Sequence, residues 1–81
     1  MRIKSITTDD IENLTYREIK TDGDWIRLSV MLTYNSREVY YSGWFKKALL
    51  ENKVNEDNYI LKLRATRVVN KLLKEESNEL Q

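Results

Sequence analysis

The side chains able to do chemistry in this chain are those of lysine, arginine, the carboxylates and tyrosine, because cysteine and histidine are both absent. That absence removes thiolate chemistry, any disulfide framework and any serine–histidine or cysteine–histidine nucleophile pair. It also removes the usual ligands of zinc, haem and most transition metals. The carboxylates gather at Asp9, Asp10 and Glu12, and again at Asp22 and Asp24. No pair among them has a spacing that demands acid–base catalysis. Asp22-Gly23-Asp24 resembles a fragment of a calcium loop, but the full Asp-x-Asp-x-Asp-Gly order and the distal glutamate are missing, so a turn is the expected use. With only two glycines in the chain, no glycine-rich phosphate loop exists. The expectation is a protein with no catalytic residue, no metal and no cofactor.

Two groups of residues could bind. Arg64, Arg67, Lys71 and Lys74 project within roughly 80° of one another on a helix that turns about 100° per residue. From Lys62 to Lys74 there are five bases and no acids. Such a ridge suits successive phosphates or an acidic protein surface. It is also what a solvated helix face looks like, with cations toward the negative end of the dipole. The second group is aromatic and basic: Trp25 and Arg27 on one segment, Tyr40 and Trp44 on the next. If the register brings them together, the platform could stack bases or form a protein contact, since Trp, Tyr and Arg dominate binding hot spots. The alternative places Trp44 and one tyrosine in a second, smaller core under the N-terminal segment.

The elements that must position these groups are legible to different degrees. Trp25 to Tyr34 alternates: Ile26, Leu28, Val30, Leu32 and Tyr34 fall on one face, and Trp25, Arg27, Ser29, Met31 and Thr33 on the other. A period of two reads as a half-buried strand. The preceding Asp22-Gly23 predicts a type I′ hairpin turn, with residues 13–21 as partner strand. A second turn at Asn35-Ser36-Arg37 leads to a third strand over Glu38–Phe45, in which Gly43 marks a bulge or the strand's end. Residues 1–6 are a candidate fourth strand. Asp9 and Glu12 have capping-box spacing, so residues 9–20 carry a helical alternative. Lys46 to Lys53 favours a helix of about two turns. Residues 55–58 then look like a break and a cap, with acids near the positive dipole end.

The last helix is the firmest element, from about Asp57 to Glu76. Leu61, Ala65, Val68, Val69, Leu72 and Leu73 lie on one side of it and should pack on the sheet's apolar face. The fold class expected is therefore α+β: a small two-layer domain, an antiparallel sheet of three or four strands (a meander over about residues 13–45) with the long C-terminal helix on one face. Residues 1–76 form a single compact domain and 77–81 a frayed polar tail.

Composition bounds the rest. Leu, Ile, Val and Phe supply 22 of 81 residues, enough for a core, but a domain this small buries only about 60% of its unfolded surface. The formal net charge is +1, which by itself points to neither nucleic acid nor membrane. No apolar run is long enough for a transmembrane helix or secretory signal, so the expected location is the cytoplasm.

The leading functional expectation is a non-enzymatic binding protein that engages a larger protein as an inhibitor, adaptor or modulator. In its Lys/Asn-rich, cysteine-free composition the chain is similar to small accessory proteins of bacteriophages and mobile elements, among them inhibitors of host defence nucleases; no motif or residue is carried over from them. A second expectation is a nucleic-acid-binding accessory factor that uses the helix ridge. Residues 25–74 hold ten bases against four acids in its favour. A third is a self-assembling structural subunit, a homo-oligomer held by an exposed edge strand or helix face.

Overall fold

The computed structural model describes residues 5–79, apart from the side chains of residues 54 and 77–79. Residues 1–4 of the expected fourth strand lie outside the described residues, and Ser5 to Thr7 form no strand. The described chain builds a three-stranded antiparallel sheet in the order β1-β2-β3, from β1 (Glu12–Asp22), β2 (Trp25–Tyr34) and β3 (Arg37–Lys46). A short helix α1 (Lys47–Glu51) follows, then a 3-10 segment over Lys53–Asn58, then the long helix α2 (Tyr59–Glu79). This is the expected α+β arrangement. Helix α2 runs 21 residues, three past its expected end; residues 80 and 81 lie outside the described residues.

The helical alternative for residues 9–20 gives way to a strand. Only Thr8–Asp10 winds, as one 3-10 turn, and the Asp10 carboxylate accepts the Thr7 N–H at 2.9 Å. Asp10 thus does the capping that the Asp9–Glu12 spacing suggested. β-branched and aromatic residues then take over, and these fit a pleated sheet better than a helix.

Both hairpins close with two-residue turns, but their chemistry differs from expectation. Asp22 pairs with Trp25 as the last residue of β1, so Gly23, not Asp22, occupies the first turn position. Among these turn residues only Gly23 has positive φ, at 60°, the pattern of a type II′ turn rather than I′. The second turn holds Asn35 and Ser36 at φ 49° and 65°, which is the I′ pattern. Gly43 is neither a bulge nor a strand end. It pairs with Leu28 inside an unbroken β2–β3 register. A Cβ there would lie 3.1 Å from Arg64 Nη1, so the glycine makes room for an arginine laid across the strand.

The inner face of the sheet carries the core. Leu28, Val30 and Leu32 are essentially sealed, and Ile26, Val39 and Phe45 are buried beside them. Helix α2 covers them with Leu61, Ala65 and Val69, at the i, i+4 spacing that keeps one helix face in contact. Val68 and Leu73 are partly buried at the margin of this core. Leu72, expected in the stripe, is exposed instead. The N-terminal segment completes the core from the flank of α2: Ile6 and Ile11 are buried, and the Ile6 N–H donates to Asn70 Oδ1 at 2.8 Å. Tyr41, also on the inner face, donates its hydroxyl to the Leu61 carbonyl at 2.9 Å.

The break before α2 is built around Asn55. Its Oδ1 accepts the Ile60 N–H at 2.8 Å, and its Nδ2 donates to the Leu50 carbonyl at 3.0 Å. One side chain therefore satisfies an orphan donor at the start of α2 and an orphan acceptor at the end of α1. Asp57 and Asn58 take left-handed φ of 56° and 61° to make the reversal, a conformation that Asn and Asp tolerate better than most residues.

Candidate binding face

The outer face of the sheet follows from the register. Trp25, Arg27, Ser29, Met31 and Thr33 leave the core side of β2. Their partners on β3 are Lys46, Trp44, Ser42, Tyr40 and Glu38. On β1 they are Asp22, Lys20, Arg17, Thr15 and Glu12. The four residues of the aromatic–basic group are thus brought onto one surface. Arg27 lies directly across from Trp44, and Trp25 across from Lys46. Tyr40 is 65% exposed, Trp25 44% and Trp44 36%. The smaller core suggested for Trp44 does not form among the described residues: Ile6 and Ile11 pack on the opposite side of the sheet, and the tyrosines that turn inward, Tyr34 and Tyr41, join the main core there.

Local contacts hold the platform in shape. The Arg27 guanidinium donates from Nη2 to Ser42 Oγ at 3.3 Å, which lays the arginine across β3 beside Trp44. Lys46 Nζ stands 5.7 Å from the centre of the Trp25 ring, inside cation–π range. Tyr40 donates its hydroxyl to Glu38 Oε2 at 2.9 Å. That hydrogen bond, then the charge of Glu38, then slight desolvation hold the Tyr40 hydroxyl above its ordinary pKa of 10.0. Thr15, Arg17, Ser29, Met31 and Tyr40 line a shallow depression near the middle of the face.

Three cations on this face were not singled out by the sequence: Arg17, Lys20 and Lys46. Lys20 is there because of a bulge. The register passes from Glu18↔Leu28 to Lys20↔Arg27, so Ile19 is the extra residue. Leu28 faces the core and Arg27 faces out. Strict alternation would have put Lys20 on the same side as Glu18; one inserted residue flips it. A run of alternating residues interrupted by one misfit is the signal that could have revealed this.

The helix ridge is divided by the fold. Arg64 bends onto the sheet, with its guanidinium carbon 4.7 Å from the centre of the Phe45 ring, and it is half-buried. Arg67, Lys71 and Lys74 are exposed. They sit in the helix layer, while the aromatic platform is on the far side of the sheet, so the two groups do not make one surface. An exposed ion pair joins Arg37 to Glu76 at 2.8 Å near the end of α2.

Among the described residues no cluster of three or more acidic side chains could hold a metal ion, and no helix is long and apolar enough to cross a membrane. No family model, curated protein or solved structure matches the chain.

Proposed function

We propose that this chain is a non-enzymatic binding module that grips a larger protein through the outer face of its sheet, acting as a stoichiometric inhibitor or modulator of that partner. One observation carries the reading. Three of the eight aromatic residues, Trp25, Tyr40 and Trp44, stand exposed together with Arg27 on a face that nothing in the described chain covers. A domain of this size needs its aromatics inside, and leaving both tryptophans outside costs core stability. Rigid aromatics beside an arginine are the side chains that carry most protein-binding energy.

The charge of the face favours protein over nucleic acid. Arg17, Lys20, Arg27 and Lys46 are offset by Glu12, Asp22 and Glu38 on the same face. A phosphate backbone needs a denser positive field. A second reading has one observation behind it: all four cations lie in the half of the sheet nearest the Gly23 turn, where only Asp22 opposes them. That half could seat a short stretch of nucleic acid.

Affinity capture with the purified chain as bait separates the readings. Wild type should retain one dominant protein. Trp25→Ala and Arg27→Ala should each lower the yield at least about tenfold, the loss of a hot-spot residue. Arg67→Glu with Lys71→Glu should not. Loss of capture only in the ridge variant overturns the assignment to the sheet face. Retention of DNA or RNA at low salt that collapses steeply as salt rises and depends on Arg27 selects the second reading.

A further inference from the structure

The sheet has two free edges, β1 and β3, and they are not equivalent. β1 is blunted. Its pairing is interrupted twice, between Glu12 and Thr15 and between Glu18 and Lys20; Asn13 takes φ 52°; and Arg17, Glu18 and Lys20 put charges along its middle. Bulges and charges are how edge strands avoid pairing. β3 has none of these features. Its register with β2 is continuous from Arg37 to Lys46, and every residue from Val39 to Phe45 is uncharged.

The sequence of β3 is also complementary to itself when reversed about Ser42. Laid antiparallel against a second copy in that register, Glu38 meets the partner's Lys46 and Tyr40 meets the partner's Trp44 on the outer face. Ser42 meets the partner's Ser42 at the two-fold axis. On the inner face, Val39 meets the partner's Phe45, and Tyr41 meets the partner's Gly43, over which that copy's own Arg64 guanidinium already lies. Three of these are favourable cross-strand pairs: opposite charges, two aromatics and two apolar residues. Shifting by two residues either way puts Glu38 against Trp44 or Tyr40 against Lys46 and loses the charge pairing. Arg64, stacked on Phe45 in each copy, lies near the seam and opposes association, so the outer-face pairs must outweigh it.

We infer that two copies of this chain associate through β3 in the Ser42-centred antiparallel register, making one continuous six-stranded sheet. The association is isologous, so every pair except the central one occurs twice. It would join two aromatic–basic faces into a single platform with the Tyr40 and Trp44 side chains of both copies along its middle. The inference concerns the purified chain alone and stands or falls independently of any partner protein.

The test uses two readouts on the full-length chain, with circular dichroism confirming that each variant is folded. In sedimentation velocity, wild type should approach twice the 9.7 kDa of one chain as concentration rises. Lys46→Glu and Glu38→Lys should each weaken self-association at least about tenfold, since symmetry turns two attractive pairs repulsive. The double charge swap should restore it. Because the chain has no cysteine, Ser42→Cys offers one thiol at the axis, where paired strands bring Cα atoms to about 4.5–5.5 Å, within disulfide range. Mild oxidation should give a covalent dimer, whereas Tyr40→Cys, four residues from its own copy across the seam, should not. A wild type that stays monomeric, a double swap that fails to rescue, or faster cross-linking at position 40 than at 42 overturns the inference.

Discussion

Tyr41 links the sheet to the helix, and its titration offers a demanding check on how the two layers meet. Its ring is half-buried beneath α2, and its hydroxyl donates to the Leu61 carbonyl. Burial pushes its pKa up to about 12, while the positive charge of Arg64 acts in the opposite direction. The same phenol in the unfolded chain ionises near its ordinary 10.0. The unfolded chain therefore loses its proton first as pH rises. The stability that Tyr41 contributes is whole below about pH 10 and drains away between about 10 and 12. Two pH units correspond to at most about 2.7 kcal/mol. The ring is only partly shielded from water, which cuts the expected loss to about 1 kcal/mol. Tyr41→Phe removes the hydrogen bond, at a cost of about 0.5–1.5 kcal/mol near pH 8, and removes this site's alkaline slope as well. Urea unfolding of both proteins, followed by far-UV circular dichroism near pH 8, 10 and 11.5, measures the gap between them. Every other ionisable side chain is the same in both proteins and cancels from the gap. The gap should shrink by about 1 kcal/mol from the lowest to the highest pH. A gap that stays constant would refute the placement of Tyr41 under α2.

Other outcomes follow from single residues. Asn55→Ala breaks the bonds to Leu50 and Ile60 and should lower stability by about 1–2 kcal/mol in the same urea assay; a loss under about 0.3 kcal/mol would contradict its role at the α1–α2 break. Ser36→Gly relieves a left-handed serine beside Asn35, making the preferred Asn-Gly turn, and should raise stability by about 0.5–1 kcal/mol. Leu28→Ala empties a sealed position between Phe45 and Leu61 and should cost about 2–5 kcal/mol, enough to populate unfolded chain at 37 °C in a domain of ordinary marginal stability.

What the sequence disclosed was mostly local. The alternation from Trp25 to Tyr34 sorted β2 into a core face and an outer face because a strand's period of two needs no knowledge of distant residues. The stripe Leu61, Ala65, Val69 did the same for α2. Non-local facts were hidden. Ile6 reaches the core through Asn70, sixty-four residues away, and nothing in either segment announces the other. Leu72 shares the helix face of Ala65 yet stays exposed, because burial depends on what lies beneath a residue as well as on which way it points. Lys20 joins the outer face only through the Ile19 bulge, and Arg64 leaves the ridge because Gly43 opens a place over Phe45. The aromatic–basic platform was therefore legible in outline, as Trp25, Arg27, Tyr40 and Trp44. The cations around it, and the division of the helix ridge, depended on register and on one glycine.

We propose the outer sheet face as the surface with which this molecule holds its partner. Both tryptophans of the chain, Trp25 and Trp44, lie on that face, so fluorescence quenching by acrylamide reports on it alone. Free protein should be quenched readily. Saturating amounts of the captured partner should shield the tryptophans and reduce quenching several-fold, as expected when exposed rings become the dry centre of an interface. Quenching that is unchanged at saturation would mean that the partner binds elsewhere and would contradict this assignment of the sheet face.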